Sequence, residues 1–194
     1  MDQLVNRVKN GDQSAYRELY HKFSVPMYNV CLRITNNADE ANDVLQDVFV
    51  KIFQNIKSLE NAQLLPAWIK KITVNTALQT IQKNKKLQID ENIDPISISE
   101  IEIQNEESIL DLETEHELLI SKIQEAIKML PERYRIVFTL HVLEEYSHEE
   151  ISKMLGIVSS TSRSQYLRAK IKLIEILKKN KSHVRPIESV YSTT

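Results

Sequence analysis

The chain has 194 residues, 25 Lys and Arg against 27 Asp and Glu, two glycines and one cysteine. That composition excludes a disulfide scaffold and leaves little material for glycine-rich phosphate loops; sparse glycine with abundant Leu, Ile, Lys, Glu and Gln points to an all-α protein. No apolar run approaches the ~20 residues of a membrane span, and the N-terminus MDQLVNRVKNGD lacks a signal-peptide core, so a cytoplasmic protein without membrane insertion is expected.

Taken in order, Asp2 to about Asn10 reads as a short helix with Leu4, Val5 and Val8 on one face. Asp12 can cap the next helix, where Ala15, Leu19 and Phe23 follow at helical spacing. Pro26 either kinks this helix or begins a new one through Val30, Cys31 and Ile34, where Cys31 reads as a buried apolar filler. Thr35, Asn36 and Asn37 form a loop. The clearest amphipathic helix spans about 38–55: Ala41, Val44, Leu45, Val48, Phe49, Ile52, Phe53 and Ile56 fall on one stripe. Asp43, Gln46, Asp47 and Val50 lie at i, i+3, i+4 and i+7 on another face. An apolar Val50 among polar neighbours fits a partner-binding surface better than plain solvent.

After the loop KSLENAQLL, Pro66 stands at the start of a long helix, where its missing N–H costs nothing. This helix, about 66–86, is expected to bury Ile69, Ile72, Thr76 and Ile81. Trp68, Asn75, Gln79, Gln82, Lys83 and Lys86 fall toward a second face. An aromatic, amides and lysines suit single-stranded nucleic acid, with bases stacking and ammonium groups meeting phosphates.

Charge then divides the chain. Residues 1–87 carry 12 basic and 8 acidic side chains, 88–118 carry none and 11, and 119–194 carry 13 and 8. The acidic stretch includes Pro95 and the alternating ISISEIEI, which has no second strand to pair with and reads as an extended linker. Helical spacing returns from about Glu115 through Leu118, Leu119, Ile123, Ile127 and Leu130. Pro131 opens a further helix, 132–143, with Tyr134, Val137, Phe138 and Leu140 inward.

Ser147 can cap a short helix whose apolar positions are Ile151, Met154 and Leu155. Gly156 supplies the freedom a tight turn needs, and Ile157 can tuck back into the core. Ser159 and Ser160 can cap a second helix carrying Arg163, Gln165, Arg168, Lys170 and Lys172. A short helix, a glycine turn and a basic second helix make a helix-turn-helix pattern, whose second helix lies in a DNA major groove.

Catalytic patterns are missing. HEEIS at 148–152 has Ser152 where a zinc protease needs its second His. The five histidines are scattered and no cysteine pairs exist, so neither a metal, a cofactor nor an enzyme activity is expected.

Together the motifs resemble the extracytoplasmic-function (ECF) sigma factors of bacterial RNA polymerase. NNADEANDVLQDVFVKIF and PAWIKKITVNTALQTIQKNKK are similar to the family's first helical domain, and LPERYRIVFTLHVLEEYSHEEISKMLGI with TSRSQYLRAK to its C-terminal domain. The resemblance covers about residues 12–86 and 115–177. It implies two small helical domains, 1–87 and 115–179, joined by an acidic linker, 88–114, and followed by a polar tail, 180–194. It implies that Asp43, Gln46, Asp47 and Val50 dock on core RNA polymerase. The loop 58–65 would trap a flipped base of the minus-ten element, with Trp68, Asn75, Gln79 and Lys83 holding the melted strand. The linker would thread toward the RNA exit path. Arg163 and Arg168, with Ser162, Ser164 and Gln165, would meet minus-thirty-five promoter DNA. An anti-sigma partner is common in the family.

Departures from the family pattern occur at Gln79 and Gln82, where Asp and Arg are frequent, and at Val158, which replaces the usual capping Ser. Ser159 or Ser160 is therefore expected to take over as cap. The alternatives are a stand-alone helix-turn-helix regulator and a polymerase-binding adaptor without initiation activity. The first needs a ligand or receiver domain that the N-terminal block does not offer; promoter-specific transcription separates both from a sigma factor.

Overall fold

The computed structural model describes residues 1–85 and 114–181. The acidic 88–113 segment and the tail beyond residue 181 lie outside the described residues. Those described are helical and fall into two compact units.

The first unit contains α1 (Asp2–Lys9), α2 (Gln13–Thr35), α3 (Ala38–Asn55) and α4 (Leu65–Lys85). Local chemistry sets the helix ends. The Asp12 carboxylate accepts from the Ser14 and Ala15 backbone N–H groups, while Arg7 donates to Asp12 at 2.8 Å and to Glu18 at 2.9 Å, tying α1 to the start of α2. Pro26 lies inside α2, which continues through it. The residue four before it, Lys22, is exposed, so the carbonyl that loses its N–H partner can turn to water. Asn36 closes α2 in the left-handed conformation (φ 58°), a conformation Asn tolerates better than most residues, and Asn37 caps α3 by accepting from the Asp39 and Glu40 N–H groups.

Helices α2, α3 and α4 pack pairwise against one another, with α1 laid against α2. The stripe of α3 is buried as its periodicity requires, except that Phe53 is half-buried and meets Tyr16 edge-on at 4.8 Å. Helix α4 departs from expectation. Ile69, Thr76 and Ile81 are buried, but so are Thr73, Val74, Ala77 and Leu78, while Ile72 is only half-buried. Burial runs around more of α4 than one apolar stripe because two threonines, Thr73 and Thr76, are buried among its apolar residues. The expected loop before α4 contains two 3₁₀ turns, Ile56–Ser58 and Ala62–Leu64. It is held from α1: Lys9 Nζ donates to the Leu59 carbonyl at 2.5 Å and Gln63 Nε2 to Asp2 at 3.0 Å.

The second unit contains α5 (Thr114–Lys128), α6 (Glu132–Phe138), α7 (His148–Leu155) and α8 (Ser159–Lys181), with α5, α6 and α7 each packed on α8. Its core joins Ala126, Ile127, Leu130, Tyr134, Phe138, Ala169 and Ile176. Leu119, one of the apolar residues at helical spacing in α5, is exposed. The helix expected over 132–143 changes winding at Thr139: residues 139–143 form a π-helical segment, closed by a Glu144 N–H to Thr139 carbonyl bond of 3.0 Å. Glu145 follows with φ 65°.

Helix α7 begins with a capping box: the Ser147 hydroxyl accepts from the Glu150 N–H, and the Glu150 carboxylate accepts from the Ser147 N–H at 2.9 Å. Gly156 ends it at φ 68°, and the Ile157 N–H reaches back to the Ser152 carbonyl at 3.1 Å, a Schellman closure. The expected cap of α8 is corrected. The helix starts at Ser159, so Val158 occupies the N-cap position and its carbonyl receives the Ser162 N–H at 3.2 Å. The Ser159 hydroxyl is buried without a hydrogen-bond partner among the described residues, and Ser160 is already inside the first turn.

Candidate polymerase and nucleic-acid interfaces

Three surfaces collect the residues singled out by the sequence. The first is the outer face of α3. Because the opposite stripe is buried, Asp43, Gln46, Asp47 and Val50 all stand exposed, Val50 by 52%. Asp43 and Asp47 have no ion-pair partner among the described residues. The face is thus an acidic strip with one apolar contact, anchored on a rigid helix.

The second surface is a groove of about 350 Å³ beside α4, lined by Lys51, Asn55, Ser58, Trp68, Ile72, Asn75, Thr76 and Gln79. It brings together Trp68, Asn75 and Gln79 and leaves Lys83 outside its lining, exposed on the same helix. Lys86 lies outside the described residues. Trp68 is half-buried, so its ring is neither lost in the core nor fully solvated. Ser58, at the start of the loop expected to trap a flipped base, lines the groove, whereas the α3 contributors Lys51 and Asn55 were not anticipated. Lys51 interrupts an apolar stretch of α3 between Val50 and Ile52, which was the one available signal; its direction toward α4 needs the tertiary contact. The lining holds one cation, amides, hydroxyls, an indole and no carboxylate, a set suited to an unpaired nucleotide strand.

The third surface is the outward side of α8. Arg163 and Ser164 are exposed, together with Leu167 and Lys170, while Gln165 and Arg168 are half-buried on its flank. Lys172 is half-buried and paired with Glu175 at 2.9 Å. Ser162 is a correction: it is 0% exposed, and its hydroxyl lies 2.9 Å from His148 Nδ1. It belongs to the seam between α7 and α8, because it shares the inward spacing of Tyr166 and Ala169.

That seam explains the histidine of the HEEIS motif. His148 stacks on His141 with ring centroids 4.2 Å apart, and Tyr166 meets the His141 ring edge-on at 4.8 Å. His141 Nδ1 lies 2.8 Å from the Tyr146 carbonyl, so it carries a proton there. Burial, then the neighbouring His141 and Arg163 charges, pushes His148 below the usual histidine range. The His148 ring thus joins the π-helical segment to α8, stacking on His141 and meeting the Ser162 hydroxyl. Among the described residues no group of three or more His, Cys, Asp or Glu could hold a metal ion.

Two family profiles match the chain: Sigma-70 region 2 over residues 19–87 and Sigma-70 region 4 over residues 120–173. The chain is 28% identical to the ECF RNA polymerase sigma factor SigW of Bacillus subtilis, over 86% of this chain and 90% of that protein. It is 27% identical to the ECF RNA polymerase sigma-E factor of Escherichia coli, over 86% and 88%. Among solved structures, it is similar in fold to the sigma factor RpoE in complex with the anti-sigma factor NepR from Bartonella quintana. The TM-score there is 0.51 at 22% identity, covering 84% of this chain and 96% of that one. CnrH in complex with the cytosolic domain of CnrY gives the same TM-score at 17% identity, covering 91% and 96%.

Proposed function

The chain belongs to the extracytoplasmic-function sigma factors, the initiation factors that direct bacterial RNA polymerase to promoters, and we propose that it divides this task among the three surfaces. It is a non-enzymatic factor whose partners are core RNA polymerase and promoter DNA. The α3 strip of Asp43, Gln46, Asp47 and Val50 docks on core polymerase. The groove residues Trp68, Asn75 and Gln79, with Lys83 beside them, hold the melted minus-ten strand. Arg163 and Ser164, with Gln165 and Arg168 on the flank, meet minus-thirty-five DNA. Unstacking and unpairing a base costs a few kcal/mol, offset by pocket and phosphate contacts in the groove.

The observation that carries this reading is the groove: Trp68, Asn75 and Gln79 converge on one carboxylate-free wall, in a unit separate from the helix-turn-helix. RpoE, which this chain resembles in fold, is bound by the anti-sigma factor NepR, and an anti-sigma partner is part of the reading for this chain as well. The domain limits 1–87 and 115–179 with the linker 88–114 follow from the same reading, as does action in the cytoplasm.

Purified chain added to sigma-free core polymerase tests it. Promoter-specific transcripts are the expected result. Core binding without transcripts makes the chain an adaptor, and operator binding without core makes it a stand-alone regulator.

A further inference from the structure

Lys51 is the one cation in the lining of the groove. It projects from α3 across to α4, where its ammonium donates to Thr76 Oγ1 at 3.1 Å and to Gln79 Oε1 at 3.4 Å. Both acceptors are neutral, and none of the groove's lining residues is a carboxylate. The positive charge is therefore uncancelled by its bonding partners, beside a cavity of about 350 Å³. An ammonium carries three donors; two are engaged, and the third remains for a ligand.

The same contact orients Gln79. Lysine can only donate, so the atom of the Gln79 amide that faces it must be the oxygen, and the NH₂ must turn the other way. Asn55 is fixed by the opposite logic: its Nδ2 donates to the Lys51 carbonyl at 2.8 Å, which leaves its oxygen outward. The groove thus offers a cation and an amide NH₂ from a single hydrogen-bonded unit.

We propose that Lys51 is a strand-contacting residue for an acceptor oxygen of an unpaired nucleotide, and that it positions Gln79 to donate its NH₂ to the same strand. The proposal rests on the strand-holding reading of the groove. The acceptor is either a phosphate oxygen or a base carbonyl; both meet a donor array of this kind.

The test uses the full chain and fluorescein-labelled single-stranded dT12, read by anisotropy across a salt series, with melting midpoints as a fold check. Lys51→Gln is expected to weaken binding about tenfold, the scale of a hydrogen bond to a charged group, while Lys51→Arg keeps most of it. Gln79→Glu, an isosteric change at an exposed position, pairs with Lys51 and weakens binding in the same way. A phosphate contact lowers the slope of log K against log salt by about 0.7 in Lys51→Gln and weakens binding to an all-abasic 12-mer equally. A base contact leaves the slope and the abasic 12-mer unchanged. If Lys51→Gln binds dT12 like the unaltered chain while Trp68→Ala loses binding, the Lys51 assignment is overturned and the groove reading stands. If neither variant loses binding, the groove reading falls and takes the proposal with it.

Discussion

Ser162→Ala separates a structural hydroxyl from a DNA-reading one. Ser162 lies on the basic helix beside Arg163, yet it is 0% exposed and its hydroxyl pairs with His148 Nδ1 at 2.9 Å. Removing the hydroxyl leaves that ring nitrogen facing a methyl group. An unpaired buried polar group costs about 1–3 kcal/mol; because His148 is only partly buried and water can reach its ring, the lower end, about 1 kcal/mol, applies. The volume lost is a single oxygen, so no further cavity cost is added. For a unit of this size, about 1 kcal/mol corresponds to a fall of roughly 4–8 °C in melting midpoint. Arg163 and Ser164 keep their exposed positions. Calorimetry should therefore show a lower midpoint for the second unit, while binding to a duplex carrying the minus-thirty-five element, measured well below melting, stays within twofold. A tenfold loss of DNA affinity with an unchanged midpoint would place the hydroxyl on the DNA and refute the argument.

Four further outcomes follow from the same geometry. Asp47→Lys should leave stability within about 0.5 kcal/mol, since Asp47 is exposed and unpaired, yet weaken core-polymerase binding tenfold or more; equal losses of both contradict the docking strip. Arg163→Ala should cost about 1–3 kcal/mol of minus-thirty-five affinity, and unaltered binding removes it from the interface. His148 has its folded pKa depressed by burial, His141 and Arg163, so the unfolded chain binds more protons as pH drops below about 6.5. The stabilisation is present above that pH and lost as pH falls through the folded value; melting midpoints from pH 7.5 to 5 should drop more steeply than in His148→Gln, and parallel curves would argue against it. Burial pushes the Cys31 thiol up to about 12, so iodoacetamide at pH 8 should label it only after unfolding.

Local signals were legible wherever the partners sit within a few residues. The Asp12 cap, the Ser147 cap and the Gly156 turn are encoded by chemistry spanning one helical turn, and the structure realises each, adding Glu150 as the reciprocal partner of Ser147. The buried stripe of α3 was equally plain, because its apolar residues recur on one face while Asp43, Gln46, Asp47 and Val50 stand on another. The winding change at Thr139–Leu143 was not, since a π-helical segment uses the same residue types as an α-helix and differs only in which carbonyl each N–H reaches. The cap of α8 was misread because two serines beside Val158 offered equivalent hydroxyls, and only the packing of α8 decided where the helix begins.

The sequence by itself determined an all-helical chain, its helix ends in the helix-turn-helix up to Gly156, and the residue types of a polymerase- and promoter-binding factor. Tertiary structure decided which side of each helix is available. Helix α4 is pressed against both α2 and α3, so its periodicity alone does not say that Trp68, Asn75 and Gln79 share a groove with Lys51 of another helix. Helix α8 turns Ser162 inward and Arg163 outward, although they are adjacent in a uniformly polar run. In each case the deciding contact joins residues far apart in the chain, and a local pattern carries no record of it.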